Sequence, residues 1–176
     1  NISFAGKVDF FSSPGTQCIK VGDMDGDGKP DIVVNNLNSN NFSIFRNTCV
    51  NGVIDINSFA VRVDFSTSEN PYGVAIGDLD GDGKPDIAIG KSPPYSAISI
   101  FRNISTPGVI NAGSFAPKVD FPMGTCPNSL SLSDLDGDGK ADIAATYYEY
   151  NKFALFKNTS VPGTINSGSF AARVEY

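Results

Sequence analysis

Residues 72–90 read Tyr72-Gly-Val-Ala-Ile-Gly-Asp-Leu-Asp-Gly-Asp-Gly-Lys-Pro-Asp-Ile-Ala-Ile-Gly90. Two short runs rich in Val, Ile and Ala flank a loop dense in Asp and Gly. Apolar runs of this length suit strands, and a Gly/Asp cluster between them reads as a turn. The stretch therefore predicts a β-hairpin with an acidic tip. Downstream, Ala97-Ile-Ser-Ile-Phe-Arg102 alternates apolar and polar residues as a third strand, and Phe115-Ala-Pro-Lys-Val-Asp-Phe121 supplies a fourth. No segment sustains a helical period.

The same unit recurs. Its acidic loops begin at Asp23, Asp78 and Asp134, 55 and 56 residues apart. Ser-Phe-Ala recurs at Phe4, Phe59, Phe115 and Phe170, and an aromatic ring closes each following run at Phe10, Phe65, Phe121 and Tyr176. Phe45, Phe101 and Phe156 form a further register. Four short strands at such a period are the pattern of a β-propeller blade. The fold expected is all-β: three four-stranded repeats of about 55 residues, plus one extra N-terminal strand over residues 3–10. The divisions are 1–15 for that strand and a linker, then blades at 16–65, 66–121 and 122–176. The recurring rings are expected to pack between blades.

The loops carry the chemistry. Carboxylates fall at loop positions 1, 3, 5 and 9: Asp23, Asp25, Asp27 and Asp31; Asp78, Asp80, Asp82 and Asp86; Asp134, Asp136, Asp138 and Asp142. Glycine at position 6 (Gly28, Gly83, Gly139) permits a left-handed turn. The backbone carbonyl of Lys29, Lys84 or Lys140 at position 7 completes the ligand set, with the lysine side chain directed to solvent. Ca²⁺ takes six to eight oxygens, and four carboxylates within nine residues repel one another without a cation. About three Ca²⁺ ions are expected, one per repeat. All-oxygen ligation disfavours zinc and copper. An EF-hand would need Glu at position 12 and flanking helices; Val34, Ile89 and Ala145 stand there, followed by strand patterns.

The Asp-x-Asp-Gly-Asp-Gly-x-x-Asp loop, with the preceding Val74-Ala-Ile-Gly-Asp78, resembles the FG-GAP/VCBS-type repeat of integrin α-subunit propellers, bacterial surface proteins and some fungal lectins. The resemblance spans nearly the whole chain in three copies, although the literal Phe-Gly and Gly-Ala-Pro tags are absent. It implies propeller blades with Ca²⁺ in the hairpins, an extracellular or cell-surface setting, and a role in adhesion or recognition. A sugar-binding lectin is the alternative. Tyr72, Tyr95, Tyr147, Tyr148 and Tyr150 are its candidate platforms, with Tyr147-Tyr148-Glu149-Tyr150 unique to the third repeat.

Composition bounds the rest. The chain has 176 residues, 13 Lys plus Arg against 19 Asp plus Glu, and a formal charge of −6. Twelve of the 19 acids lie in the three loops. There is no basic cluster to engage nucleic acid and no apolar run long enough for a membrane span. Without histidine, His-based triads and His-ligated zinc are excluded, and no nucleophile–base pair suggests an enzyme. The chain opens at Asn1 without a signal-peptide pattern, as expected of a processed chain or a segment of a longer one. Asn1, Asn41, Asn103 and Asn158 open Asn-x-Ser sequons. Strand order places Cys18 and Cys49 at opposite blade ends, too far apart to bridge; Cys126 shares a face with Cys18, so that pair is the only bridge expected.

Three blades do not close a ring, since closed propellers use about four to eight. Self-association is therefore expected, as a six-bladed pair or as a homo-oligomer or filament in which residues 3–10 complete a neighbour's sheet. Neighbouring blades of a longer chain would serve the same need.

Overall fold

Apolar runs that neighbour one another in sequence pair as antiparallel ladders, which is the cheapest closure for short loops. The structure, a computed structural model, describes residues 6–50, 52–94, 96–147 and 151–176. It contains three four-stranded antiparallel sheets, each in simple sequential order. The first holds β1 (Thr16–Gly22), β2 (Asp31–Asn36), β3 (Asn41–Phe45) and β4 (Val63–Ser66). The second holds β5 (Pro71–Gly77), β6 (Asp86–Lys91), β7 (Ala97–Phe101) and β8 (Val119–Pro122). The third holds β9 (Pro127–Ser133), β10 (Asp142–Tyr147), β11 (Phe153–Phe156) and β12 (Val174–Glu175). The repeats share one register: Val21 faces Ile32, Ile76 faces Ile87, and Leu132 faces Ile143.

The core lies between sheets. One cluster joins Met24, Val33, Phe42 and Phe65 of the first blade to Val74, Ile87, Ile89 and Phe101 of the second. Another joins Ala88, Ile98, Ile100 and Phe121 of the second blade to Leu130, Ile143, Phe156 and Phe170 of the third. The middle sheet is thus covered on both faces, and every residue of β6 is buried. That explains why residues 87–90 read as a continuous apolar run instead of alternating. Recurring rings meet across the junctions, Phe65 edge-on to Phe115 at 5.0 Å and Phe121 edge-on to Phe170 at 5.1 Å. Each buried ring contributes on the order of 1.5–3 kcal/mol through burial.

A polar group ties strand 2 to strand 4 within each blade, with different chemistry each time. In the first, Asn36 donates to Ser43, whose hydroxyl donates to Asp64 at 2.6 Å. In the second, buried Lys91 pairs with Asp120 at 3.2 Å. In the third, the Tyr147 hydroxyl donates to Glu175 at 2.9 Å. Tyr147 is consequently a buried core residue, which removes it as an exposed sugar platform. Tyr148, Tyr150 and Tyr95 lie outside the described residues, and Tyr72 is half-buried.

The expected extra strand is not formed among the described residues: 6–10 join no ladder, and residues 1–5 lie outside the description. A strand requires a partner, and no described strand pairs with this segment. The segment is nevertheless held in place. Phe10 packs edge-on against Phe59 at 5.1 Å, Arg62 donates to the Phe11 carbonyl at 3.1 Å, and the Ser13 hydroxyl reaches Asp64 at 3.3 Å. No disulfide joins Cys18, Cys49 and Cys126.

Candidate metal centre

Each acidic loop connects the first two strands of its blade, so the ladder fixes both ends of the loop 9 residues apart in sequence. Within it, glycines at positions 4 and 6 adopt left-handed backbone: φ is 69° and 84° at Gly26 and Gly28, 70° and 84° at Gly81 and Gly83, and 82° and 85° at Gly137 and Gly139. Such angles strain any residue with a side chain. They curl the loop so that its N–H groups turn onto its own carboxylates. Asp23 accepts from Asp27 and Gly28 at 3.1 and 2.9 Å, and Asp78 accepts from Gly81 and Gly83 at 2.7 and 2.8 Å. Asp134 accepts from Gly137, Asp138 and Gly139. Asp27, Asp82 and Asp138 accept from the lysine at position 7.

Position 9 has a separate task. Asp31, Asp86 and Asp142 are buried at the start of strand 2. Each accepts two backbone N–H bonds, one from loop position 2 and one from the end of strand 3. For Asp86 these come from Leu79 at 3.0 Å and Asn103 at 2.8 Å. The carboxylate therefore pins its loop to the blade.

The structure brings three acid groups together, one per repeat. Carboxylate oxygens of Asp23, Asp25 and Asp27, of Asp78, Asp80 and Asp86, and of Asp134, Asp136 and Asp142 each lie within 4.8 Å of one another. The donor set is all oxygen, as a hard cation requires. The position 3 acids provide the test of fit. One oxygen of Asp25 and one of Asp80 are buried without a hydrogen-bond partner, faced only by the guanidinium groups of Arg46 at 4.0 Å and Arg102 at 3.6 Å; a metal ion among the acids would meet them at closer range. Burial pushes both carboxyls above the usual carboxylate range, and the neighbouring loop acids add to it. Burial likewise pushes Asp31 up to about 6 and Asp86 up to about 7, against their backbone hydrogen bonds.

These shifts set a pH dependence for the ion-free chain. A carboxyl with a raised pKa holds a proton in the fold that the unfolded chain releases near pH 4. The stabilisation is complete below about pH 4 and is lost as pH rises through about 7. Acids held below the usual range, Asp64, Asp120, Asp138 and Glu175, act only beneath that window. In chelator the melting temperature should therefore fall steadily between pH 4.5 and 7.5, and calcium should flatten or reverse the slope. Thermal melts across that range measure it, and a rise with pH in chelator would contradict the assignment.

Three features escaped sequence reading. A cation stands behind each loop at the residue following the strand 3 phenylalanine. Arg46 lies 4.0 and 3.8 Å from Asp25 and Asp27, Arg102 lies 3.6 and 3.9 Å from Asp80 and Asp82, and Lys157 pairs with Asp136 and Asp138. Its recurrence one residue after Phe45, Phe101 and Phe156 was the available signal. Second, the loop lysines do not simply enter solvent: the ammonium groups of Lys84 and Lys140 donate to the Ser105 and Ser160 carbonyls at 2.8 and 2.7 Å. Third, Asn103 and Asn158 are buried. The Asn103 amide donates to Pro85 O and, across the junction, to Met24 O in the preceding blade's loop; Asn158 donates likewise to Ala141 O and Leu79 O. Ser105 and Ser160 donate to the same two carbonyls, Met24 O and Leu79 O. Those two sequons are inter-blade clamps, and a glycan on either nitrogen is incompatible with this fold.

Comparison with known families agrees with this geometry. Residues 23–89 match the FG-GAP-like repeat and residues 127–161 match the FG-GAP repeat. The chain contains FG-GAP-type repeats. The first match runs from one acidic loop through the next to β6, so it contains a whole blade junction; the second runs from β9 past the Asn158 clamp. FG-GAP repeats are blades of the propeller type, and the three sheets have that form. No curated protein matches the chain.

Proposed function

We propose that this FG-GAP chain is an extracellular or surface repeat module of structural or adhesive function, stabilised by about three Ca²⁺ ions, one per loop. The observation that carries the reading is the pair of buried carboxylate oxygens on Asp25 and Asp80 that accept no hydrogen bond within all-oxygen clusters, with a single arginine at 3.6–4.0 Å to offset each cluster's charge. The carboxylates at positions 1, 3, 5 and 9 and the carbonyls of Lys29, Lys84 and Lys140 form the ligand set. An oxygen that accepts one N–H bond keeps a second lone pair for the ion. Bound calcium supplies positive charge that removes the mutual repulsion of each cluster. FG-GAP repeats are typical of surface proteins with adhesive roles, and among the described residues no helix is long and apolar enough to cross a membrane.

An adhesive module suits the absence of histidine better than catalysis does. The sugar-binding alternative loses Tyr147 to the core. Affinity is expected in the weak range of extracellular modules, roughly 10⁻⁴ to 10⁻³ M, because position 12 offers no bidentate acid. Calcium at 100 times the dissociation constant adds about 2.7 kcal/mol per independent site. Differential scanning calorimetry should show a melting temperature that rises with millimolar calcium and falls on chelation. A melting temperature indifferent to both would remove the calcium reading.

A further inference from the structure

The first and third blades carry the two halves of a junction that the chain itself builds twice. At each internal junction the later blade sends three donors onto the earlier blade's loop. Asn103 and Ser105 bond Met24 O while the Gly108 N–H bonds Asp25 O at 3.0 Å; Asn158 and Ser160 bond Leu79 O while the Gly163 N–H bonds Asp80 O at 2.9 Å. The equivalent donor positions on the first blade are Asn47, Cys49 and Gly52, and the equivalent acceptors on the third are the carbonyls of Leu135 and Asp136. The apolar surfaces match in the same way. Leu135 is 52% exposed, whereas its counterparts Met24 and Leu79, covered by a following blade, are 0% and 1%. Ile19 is 57% exposed, whereas Val74 and Leu130, covered by a preceding blade, are 1% and 5%.

The segment before β1 adds a constraint. Phe10 meets Phe59 as Phe65 meets Phe115 and as Phe121 meets Phe170. Arg62 bonds the Phe11 carbonyl as Arg173 bonds that of Pro122. Both sets of contacts place residues 8–11 where the fourth strand of a preceding blade lies. In sequence this segment, Lys7-Val-Asp-Phe10, is the twin of Arg173-Val-Glu-Tyr176 around β12. β12 is the most weakly held outer strand, paired over two positions where β4 and β8 pair over four.

We propose that a second copy of this chain docks its third blade onto the first blade, head to tail, and that its β12 competes with residues 8–11 for one outer-strand place. The contact is heterologous and so propagates or closes. When residues 8–11 win, they add to β11 of the neighbour as its fourth strand. Residues 8–11 and β12 thus fit the same outer-strand place at this junction, and their competition holds back self-association. The inference rests on the blade architecture and is independent of the calcium reading.

Sedimentation velocity in calcium tests it on four forms: intact, lacking residues 1–11, lacking residues 172–176, and lacking both. Either single deletion removes the competition and should tighten association at least about tenfold over the intact chain. The double deletion leaves the place empty and should lose that gain. A synthetic peptide of residues 3–11 should restore it. Ile19→Lys, on the exposed face of β1 and away from every loop, should return the form lacking 172–176 to single copies. Single deletions that associate no more tightly than the intact chain, or association indifferent to Ile19→Lys, would overturn the proposal. Calcium titration of the same samples separates the two readings: full calcium uptake without association removes docking alone, and association without calcium uptake removes the calcium reading alone.

Discussion

Asp86→Ala should cost the chain about 2–5 kcal/mol, a large part of the stability of a domain this size. The carboxylate accepts the N–H groups of Leu79 and Asn103, both buried. Alanine leaves both donors without a partner, and each unsatisfied buried group costs roughly 1–3 kcal/mol. The damage extends beyond one blade. Leu79 O is the acceptor for Asn158 and Ser160 of the third blade, so a loosened loop also loosens the next junction. One effect opposes this. In the ion-free chain Asp86 is pushed up to about 7 by burial, so its removal relieves an unfavourable charge at neutral pH. In calcium that charge is wanted. Urea unfolding should therefore show a greater loss in calcium than in chelator. Equal losses in the two would show that position 9 serves the fold alone.

Gly90→Val should destabilise by about 3 kcal/mol or more. A Cβ at Gly90 would stand 2.3 Å from the Pro127 carbonyl oxygen, and one at Gly73 would stand 2.8 Å from that of Asn128. Both obstacles are backbone at the start of β9, where no side chain can swing aside. Gly90 does not have a left-handed backbone, so the penalty is steric. Overpacking a dense interior typically costs 1–3 kcal/mol and more when backbone must move. Gly6→Ala, which meets nothing within 4 Å, should stay within about 0.5 kcal/mol of the parent. A Gly90 variant as stable as the parent would mean that the second and third blades do not pack this closely.

Much of this was legible in the chain because the repeat states it three times. Strand type followed from the short apolar runs, and the left-handed glycine at loop position 6 followed from the spacing of the acids, whereas the left-handed glycine at position 4 is seen only in the fold. What a single repeat hides is what joins blades. Asn103 and Asn158 look like glycan acceptors because Asn-x-Ser is the same three letters whether the amide faces water or a neighbour's carbonyl. The ties from strand 2 to strand 4 use Asn36, Lys91 and Tyr147 at one register position, so no recurring letter marks them. Tyr147 lost its apparent exposure because β10 turns it into the core beside Ala145 and Ala154. Residues 3–10 read as a strand on pattern alone, yet a ladder depends on the partner across it, which sequence alternation cannot supply.

Calcium stoichiometry tests the central claim most directly. Isothermal titration of the intact chain, checked by native mass spectrometry, should count three ions. Asp80→Ala, which removes the buried acid at the centre of the second cluster, should count two, with the remaining sites little changed because they lie in different blades. A chain that takes up no calcium at millimolar concentration, or an Asp80→Ala chain that still counts three, would contradict the account.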